Sequence, residues 1–324
     1  MKALVTGATG FVGGHVIDQL LDRGDTVTAL VRSPAKAASL ARRGVVLVHG
    51  DLDNYDALRR AAAGQDVVYH AAALTGAVDE AEFMSANRDG TANLARACVR
   101  TGGQQRMVLI SSMAAGGPAR RGTPRTEDGH DQPVTMYGRS KLAAEQALRG
   151  EQLAWTILRP PTVYGPRDRD NLLAVFRATR LGFAPVFGDG SMEISLIHVV
   201  DLAAAILAAG THPGLGGRLY YVNHPEVVTS AALVRTIGRS LGHEVRLVPV
   251  PEWLARGLLS VSGLTAGLLH RKTILRADKA NEFYQEAWTA DPCAFVTATG
   301  WTADFDMLGG IVNTAEWYQA NGWL

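Results

Sequence analysis

Tyr137 and Lys141 are the two residues in this chain best suited to moving a proton. They stand four apart in a helix-like stretch, so their side chains share one helix face. A tyrosine at its ordinary pKa of ~10 is a poor acid or base at neutral pH. A neighbouring ammonium favours the phenolate and brings that value towards the working range. Ser111 and Ser112 close an apolar strand-like run, the place where open α/β sheets meet their ligands. A second set of residues lies near the N-terminus. Thr6-Gly7-Ala8-Thr9-Gly10-Phe11-Val12-Gly13 falls between a strand and a helix. Glycines in this position allow a tight turn and close backbone approach to a pyrophosphate, while the helix N-terminus offers free N–H groups to the anion.

The elements that must position these residues follow a βαβ rhythm. Strand-like runs occur at Ala3–Val5, Thr26–Val31, Val45–Val48, Asp66–His70, Met107–Ile110 and Trp155–Leu158. Helix-like stretches separate them, near 12–23, 34–43, 53–63, 81–100 and 136–149. Several strands are continuously apolar, as expected of parallel strands covered on both faces. The pattern predicts an α/β fold, a Rossmann-type doubly wound parallel sheet with right-handed crossovers. After Arg159 the rhythm loosens, with helices expected at 170–181, 199–209, 229–241 and 251–270 and strands at 192–197, 218–222 and 245–248. A smaller C-terminal α+β domain is expected. Residues 1–165, with returning segments near 199–223, form the cofactor-binding part, and 166–198 with 224–324 the substrate-binding part. An exposed loop is expected over 116–134.

The ordered motifs resemble the extended branch of the short-chain dehydrogenase/reductase superfamily. After the glycine turn come Gly50-Asp51-Leu52, His70-Ala71-Ala72-Ala73, Asn87-x-x-Gly90-Thr91, Ser111-Ser112 and Tyr137-Gly138-Arg139-Ser140-Lys141. Arg159-Pro160-Pro161-Thr162-Val163-Tyr164-Gly165-Pro166, Gly188-Asp189-Gly190 and His198-Val199-Val200-Asp201 complete the series. The resemblance implies a nicotinamide cofactor held by Gly7, Thr9, Gly10, Phe11, Val12 and Gly13. Asp51 and Leu52 would meet the adenine, and Ala71, Ala72 and Ala73 would line the cofactor channel. Pro160 and Val163 would border the carboxamide. It also implies that Ser112 orients the substrate oxygen, that Tyr137 exchanges the proton, and that Lys141 tunes Tyr137 and binds the ribose. Asn87 and Thr91 are expected to fix backbone. Among ketone reductases, those acting on 3-beta-hydroxysteroids and dihydroflavonols look most similar.

The second strand speaks to the choice of cofactor. Val31 is followed by Arg32, Ser33 and Lys36, with no carboxylate between Thr26 and Lys36. An acid there suits a ribose 2′-hydroxyl, whereas a cation suits a 2′-phosphate. NADP(H) is therefore expected, with NAD(H) the alternative and adenine stacking a second role for Arg32.

The expected reaction interconverts a ketone or aldehyde and its alcohol on a comparatively apolar small molecule. The alternative is a nucleotide-sugar epimerase or dehydratase, which oxidises its substrate transiently. Nucleotide-sugar relatives often carry an arginine four residues before the histidine of the H-V-x-D segment, where this chain has Ile194. Arg167, Arg169, Arg177 and Arg180 could replace it as a phosphate clamp. Leu258, Leu259, Val261, Leu264, Leu268 and Leu269 could form an apolar lid or an ordinary helix core.

Composition narrows the remaining classes. Among 324 residues, Lys and Arg number 32 against 31 Asp and Glu, a net charge of +1 that speaks against a nucleic-acid binder. Nine histidines show no metal-ligand spacing and the two cysteines are far apart, so no metal is expected. No apolar run reaches the ~20 uninterrupted residues of a membrane helix. The N-terminus shows no signal-peptide layout, and a cytoplasmic location is expected. In relatives the helices at 81–100 and 136–149 pair across a two-fold axis. A homodimer is therefore expected, presenting Ala86, Leu94, Ala97, Leu142, Ala143, Ala147 and Leu148.

Overall fold

The sheet that carries the glycine turn has seven strands, all parallel. The structure is a computed structural model. It describes the backbone of residues 1–268 and 277–324 and the side chains of residues 1–262 and 278–324. The first strand, Lys2–Thr6, lies between Thr26–Val31 and Val67–His70. Val46–His49 forms one edge. On the other side follow Arg106–Ile110, Ala154–Arg159 and the edge strand Arg218–Tyr221. Chain order thus reverses beside the first strand, which opens a crevice at the carboxyl ends of the strands.

Both faces of the sheet are covered, which explains the unbroken apolar runs. Val5, Tyr69 and Val108 face a core shared with Val16, Ile17 and Leu20 of the first helix and with Leu202 and Ile206 of the helix Val199–Thr211. Leu4, Val68 and Leu109 face the opposite core, filled by Leu58, Leu94 and Leu148 from three further helices. Leu94, Ala97 and Leu148 are completely buried there. This corrects part of the expected dimer face, because these three residues cover the sheet and cannot meet a second copy. Ala86, Leu142, Ala143 and Ala147 remain partly exposed.

Two expected helices are divided. The stretch near 34–43 is a 3-10 turn at Pro34–Ala37 followed by a helix at Ala38–Arg42. The stretch 81–100 runs as an α-helix at Glu80–Phe83, a π-helix at Met84–Asp89 and an α-helix at Gly90–Arg100. The helix at Met136–Arg149 matches its expected span, and Thr135 caps it by accepting from Gly138 N.

Beyond Arg159 the expected strands near 192–197 and 245–248 are present, and Thr162–Tyr164, Phe183–Phe187, Val227–Thr229 and Ala287–Trp288 are added to them. Glu193–His198 pairs with Thr162–Tyr164, Val227–Thr229 and Ala287–Trp288. Phe183–Phe187 pairs in parallel with Arg246–Val250. Ile194 sits in a core cluster with Tyr164, Leu172 and Phe176. A long helix occupies Glu252–Leu268. Of its expected lid residues, Leu259 is buried while Leu258 and Val261 are exposed. The side chains of Leu264, Leu268 and Leu269 lie outside the described residues.

Candidate active site

The glycine turn is fixed by backbone proximity. Gly7 has φ +71°, and a Cβ there would stand 2.7 Å from the Ala71 carbonyl carbon and the Ala72 nitrogen. A Cβ on Gly13 would collide with the carbonyl of Gly7. No larger residue fits either place without moving the strand ends apart. Gly10 caps the helix Phe11–Asp22 with no side-chain hydrogen bond, so the first-turn amides remain available to an anion. The cradle and its free donors fit a dinucleotide pyrophosphate. Phe11 and Val12 are half-buried in that first turn, while Thr9 is exposed on the turn itself.

Beneath this turn runs a chain of hydrogen bonds through a buried histidine. The Thr91 hydroxyl donates to Asn87 O at 2.6 Å. His70 Nε2, 3.0 Å from Thr91 Oγ1, must therefore be the donor of that pair, and Nδ1 accepts from Thr6 Oγ1 at 2.7 Å. Ala72 N donates to Thr6 Oγ1 in turn. Burial pulls His70 down to about 3, which keeps the ring neutral and this tautomer in place. Asn87 exchanges hydrogen bonds with both backbone groups of Leu74 and donates to Ser140 Oγ at 2.8 Å. It therefore ties the loop after the fourth strand to the helix carrying Tyr137. The expected backbone-fixing roles of Asn87 and Thr91 agree with this geometry.

Ser112, Tyr137 and Lys141 meet at the end of the fifth strand. Ser112 caps a short helix at Met113–Gly116 by accepting from Ala114 N at 3.1 Å. A Cβ on Gly138 would collide with Ala114 O, so the helix that follows Thr135 can lie directly against this turn. That approach brings the Tyr137 hydroxyl to Ser112. Burial pushes Tyr137 up to about 12, opposed by its hydrogen bond with the Ser112 side chain. Lys141 is almost fully buried and donates to Ile110 O at 2.8 Å. Burial brings it down to about 8, opposed by the Glu145 carboxylate. The expectation that Lys141 lowers the Tyr137 pKa is not met here. The amine is directed to the strand-end carbonyl, and burial governs the phenol.

Glu145, one turn beyond Lys141, belongs to a network that the sequence reading missed. Ser111 Oγ donates to Glu145 Oε1 at 2.5 Å. Arg159 donates to both Glu145 oxygens, at 2.9 and 2.7 Å, and to both Asp131 oxygens, at 2.6 and 2.9 Å. Burial works against the Arg159 charge, yet the two carboxylates hold it firmly protonated. Asp131 lies in the exposed loop, so the network pins that loop over the strand ends. The available signal was the i, i+4 spacing of Lys141 and Glu145 on one helix face.

The remaining expected residues are more dispersed. Asp51 Oδ1 accepts from the amides of Asp53 and Asn54, capping a turn. Leu52 O accepts from Asn93 Nδ2. Arg32 is exposed at the end of the second strand. Pro160 O accepts from Met113 N, and Val163 pairs with Ile197. The arginines beyond the sheet are engaged elsewhere. Arg167 binds Asp18 at 2.6 Å, Arg169 stacks 4.6 Å over Trp323, and Arg177 donates to Trp323 O. Arg180 borders a surface cavity with Leu324. A groove of about 640 Å³ runs between Pro118–Gln132 and Tyr284–Glu286 and is lined by none of Ser112, Tyr137 and Lys141.

Residues 3–222 match the NAD dependent epimerase/dehydratase family. The chain belongs to this family. Among curated relatives, the ceramide reductase of Caulobacter vibrioides is 31% identical over 99% of this chain and 95% of its own length. A 2-alkyl-3-oxoalkanoate reductase of Stenotrophomonas maltophilia is 31% identical over 75% of this chain and 76% of its own. The UDP-glucose 4-epimerase of Vibrio cholerae is 29% identical over 77% and 79%. Of solved structures, MoeE5 in complex with UDP-glucose and NAD superposes with a TM-score of 0.80 at 25% identity, covering 99% of both chains. Family membership supports NAD-dependent redox or epimerase chemistry on a small molecule. Among the described residues, no helix is long and apolar enough to cross a membrane.

Proposed function

We propose that this protein is an NADP(H)-dependent reductase of an apolar ketone or aldehyde. The observation that carries the reading is the meeting of Ser112, Tyr137 and Lys141 at the strand end beside the glycine cradle. Gly7 through Gly13 hold the pyrophosphate, Asp51 and Leu52 border the adenine, and Ala71 to Ala73 with Pro160 and Val163 line the channel. When bound, the nicotinamide supplies or accepts the hydride. Ser112 donates a hydrogen bond to the substrate oxygen and holds it beside the Tyr137 hydroxyl. Tyr137 delivers the proton on reduction and removes it on oxidation. Lys141, protonated below about pH 8, binds the ribose from its place against Ile110 O.

Arg32 favours NADP(H), since no carboxylate accompanies it between Thr26 and Lys36. NAD(H) is the alternative, favoured by the cofactor in MoeE5. An apolar substrate is favoured because Arg167, Arg169 and Arg177 are engaged by Asp18 and Trp323 and Ile194 lies in the core. The reductase relatives named above point the same way. The epimerase reading rests on the UDP-glucose complex of the same fold. In this assignment 1–165 with 199–223 hold the cofactor, and 166–198 with 224–324 hold the substrate. The cytoplasm is the assigned compartment, and a homodimer paired through Ala86, Leu142, Ala143 and Ala147 is the assigned assembly.

A panel of long-chain ketones and aldehydes assayed by NADPH consumption tests the function. Turnover on the apolar members is expected, with no calorimetric signal from UDP-glucose. Micromolar binding of UDP-glucose, with cofactor retained in the oxidised form through purification, overturns it. Sedimentation velocity tests the dimer, which a 34.5 kDa species alone contradicts.

A further inference from the structure

The three residues that lead into Tyr137 are each held by one distant turn. Asn281 Nδ2 donates to Val134 O at 3.2 Å, the Thr135 hydroxyl donates to Glu282 Oε1 at 3.0 Å, and Met136 N donates to Asp278 Oδ2 at 3.1 Å. The partners lie 142 to 147 residues apart in the chain. Thr135 is almost fully buried and caps the helix by accepting from Gly138 N. Its one hydroxyl proton goes to Glu282, and that bond turns a lone pair towards the cap. Asp278 and Glu282 thus bring two carboxylates to the positive end of the helix, where negative charge is stabilising.

The turn is itself anchored in the part assigned above to the substrate. Trp288 Nε1 donates to Glu282 O at 2.8 Å, and Ala287–Trp288 pairs with Glu193–His198. Phe283 stacks on Phe187 with ring centroids 4.1 Å apart, and Lys279 pairs with Glu282. A helix cap needs no such grip, since Thr135 satisfies Gly138 N by its own side chain. Tyr137 is the second residue of the helix Met136–Arg149, so the entry sets where its ring points. Burial holds the proton on the phenol, and the Glu282 charge adds to that effect. A displacement of about 1 Å at a reacting group can cost about 100-fold in rate.

We propose that Glu282 is a positioning residue for proton transfer, acting through Thr135 to fix the Tyr137 hydroxyl beside Ser112, with Asp278 supporting it at Met136. The inference rests on the reading of Tyr137 as proton donor. With a long-chain methyl ketone and NADPH, Glu282→Ala is expected to lower kcat by about 10–100-fold, with KM for NADPH and melting temperature little changed. Glu282→Gln keeps an oxygen that accepts from Thr135 and should return kcat to within about threefold of wild type. On a Tyr137→Phe background, Glu282→Ala should lower kcat by no more than about a further twofold, because its effect passes through the missing hydroxyl. Amide hydrogen exchange reads the grip without turnover, and Glu282→Ala should speed exchange at Met136–Gly138 by about tenfold. Asp278→Ala, which removes the acceptor of Met136 N, should lower kcat by about threefold or more and carries the test if Glu282→Ala does not fold. Unchanged kcat or unchanged exchange in the alanine variants overturns the proposal. So does a Glu282→Gln as slow as Glu282→Ala, or a full further loss on the Tyr137→Phe background. A fall in melting temperature in place of kcat reduces Glu282 to a partner of the cap and also overturns it. Near-normal turnover of Tyr137→Phe overturns the proton-donor reading and this proposal with it. A slow Tyr137→Phe beside a normal Glu282→Ala overturns this proposal alone.

Discussion

Along the rim formed by Thr6–Gly13 and His70–Ala73, the backbone itself sets the geometry. Gly7 and Gly13 admit no Cβ, and the neutral His70 is hydrogen-bonded on both ring nitrogens by threonines. Across the crevice, the loop over the strand ends is placed by ionised side chains, with Arg159 holding Glu145 on one side and Asp131 on the other. The rim tolerates almost no change in shape. The loop depends on charge balance, and its position can shift when one partner changes.

Tyr137 stands where the two regions meet, and its removal should give the largest effect. Tyr137→Phe is expected to lower turnover by about 10²–10⁴-fold with cofactor affinity and melting temperature unchanged. Steady-state kinetics with calorimetric cofactor titration check both parts, and near-normal turnover refutes the assigned acid. Arg159→Met should separate loop from rim. It removes the arginine hydrogen-bonded to both oxygens of buried Glu145 and leaves Arg149, at 3.7 Å, as its ion-pair partner, at a cost of about 3–5 kcal/mol in urea unfolding. NADP(H) affinity of the folded fraction should change far less, and equal damage to both would erase the distinction drawn above.

Arg32→Ala probes the rim at its outer end. NADPH affinity should fall about 10–100-fold with NADH nearly unaffected, because only NADPH carries the phosphate. Equal losses for the two cofactors assign Arg32 to adenine stacking.

The last effect is a slope against pH. Burial holds His70 at about 3 and His198 at about 4 in the folded chain, below the unfolded value of ~6.5. Below pH ~6.5 the unfolded chain therefore binds more protons, and stability falls as pH falls towards 4. Each histidine contributes up to about 1.4 kcal/mol per pH unit in that window and nothing above it. Chemical denaturation across the window checks this, and His70→Asn should shallow the slope.

The rim was legible in the sequence because its requirements are local. A glycine forced by backbone contact cannot be replaced, and an apolar strand buried on both faces shows itself in an unbroken run such as Met107–Ile110. The helix Met136–Arg149 was legible for the same reason, with its cap and apolar face contained within the segment. Thr162–Tyr164, Val227–Thr229 and Ala287–Trp288 were not, since each is only two or three residues long and owes its strand conformation to pairing with Glu193–His198. Phe183–Phe187 contains a proline, a residue that argues locally against a strand, whereas its partner Arg246–Val250 lies where a strand was expected. The buried pairing of Glu145 with Arg159 was not legible either, because nothing in their neighbouring residues announces that both will be buried.

The π-helical turn at Met84–Asp89 sets local regularity against long-range fit. One residue beyond the α-helical count rotates everything after it by about 100° relative to an uninterrupted helix. Within that turn Asn87 reaches Leu74 and Ser140 together. Deleting a single residue from this stretch would therefore yield a tidier helix and a poorer protein, with the asparagine swung off its partners. An engineer optimising helix propensity segment by segment would make that deletion first, and the tether between cofactor channel and proton donor would be lost without any change to a residue touching either.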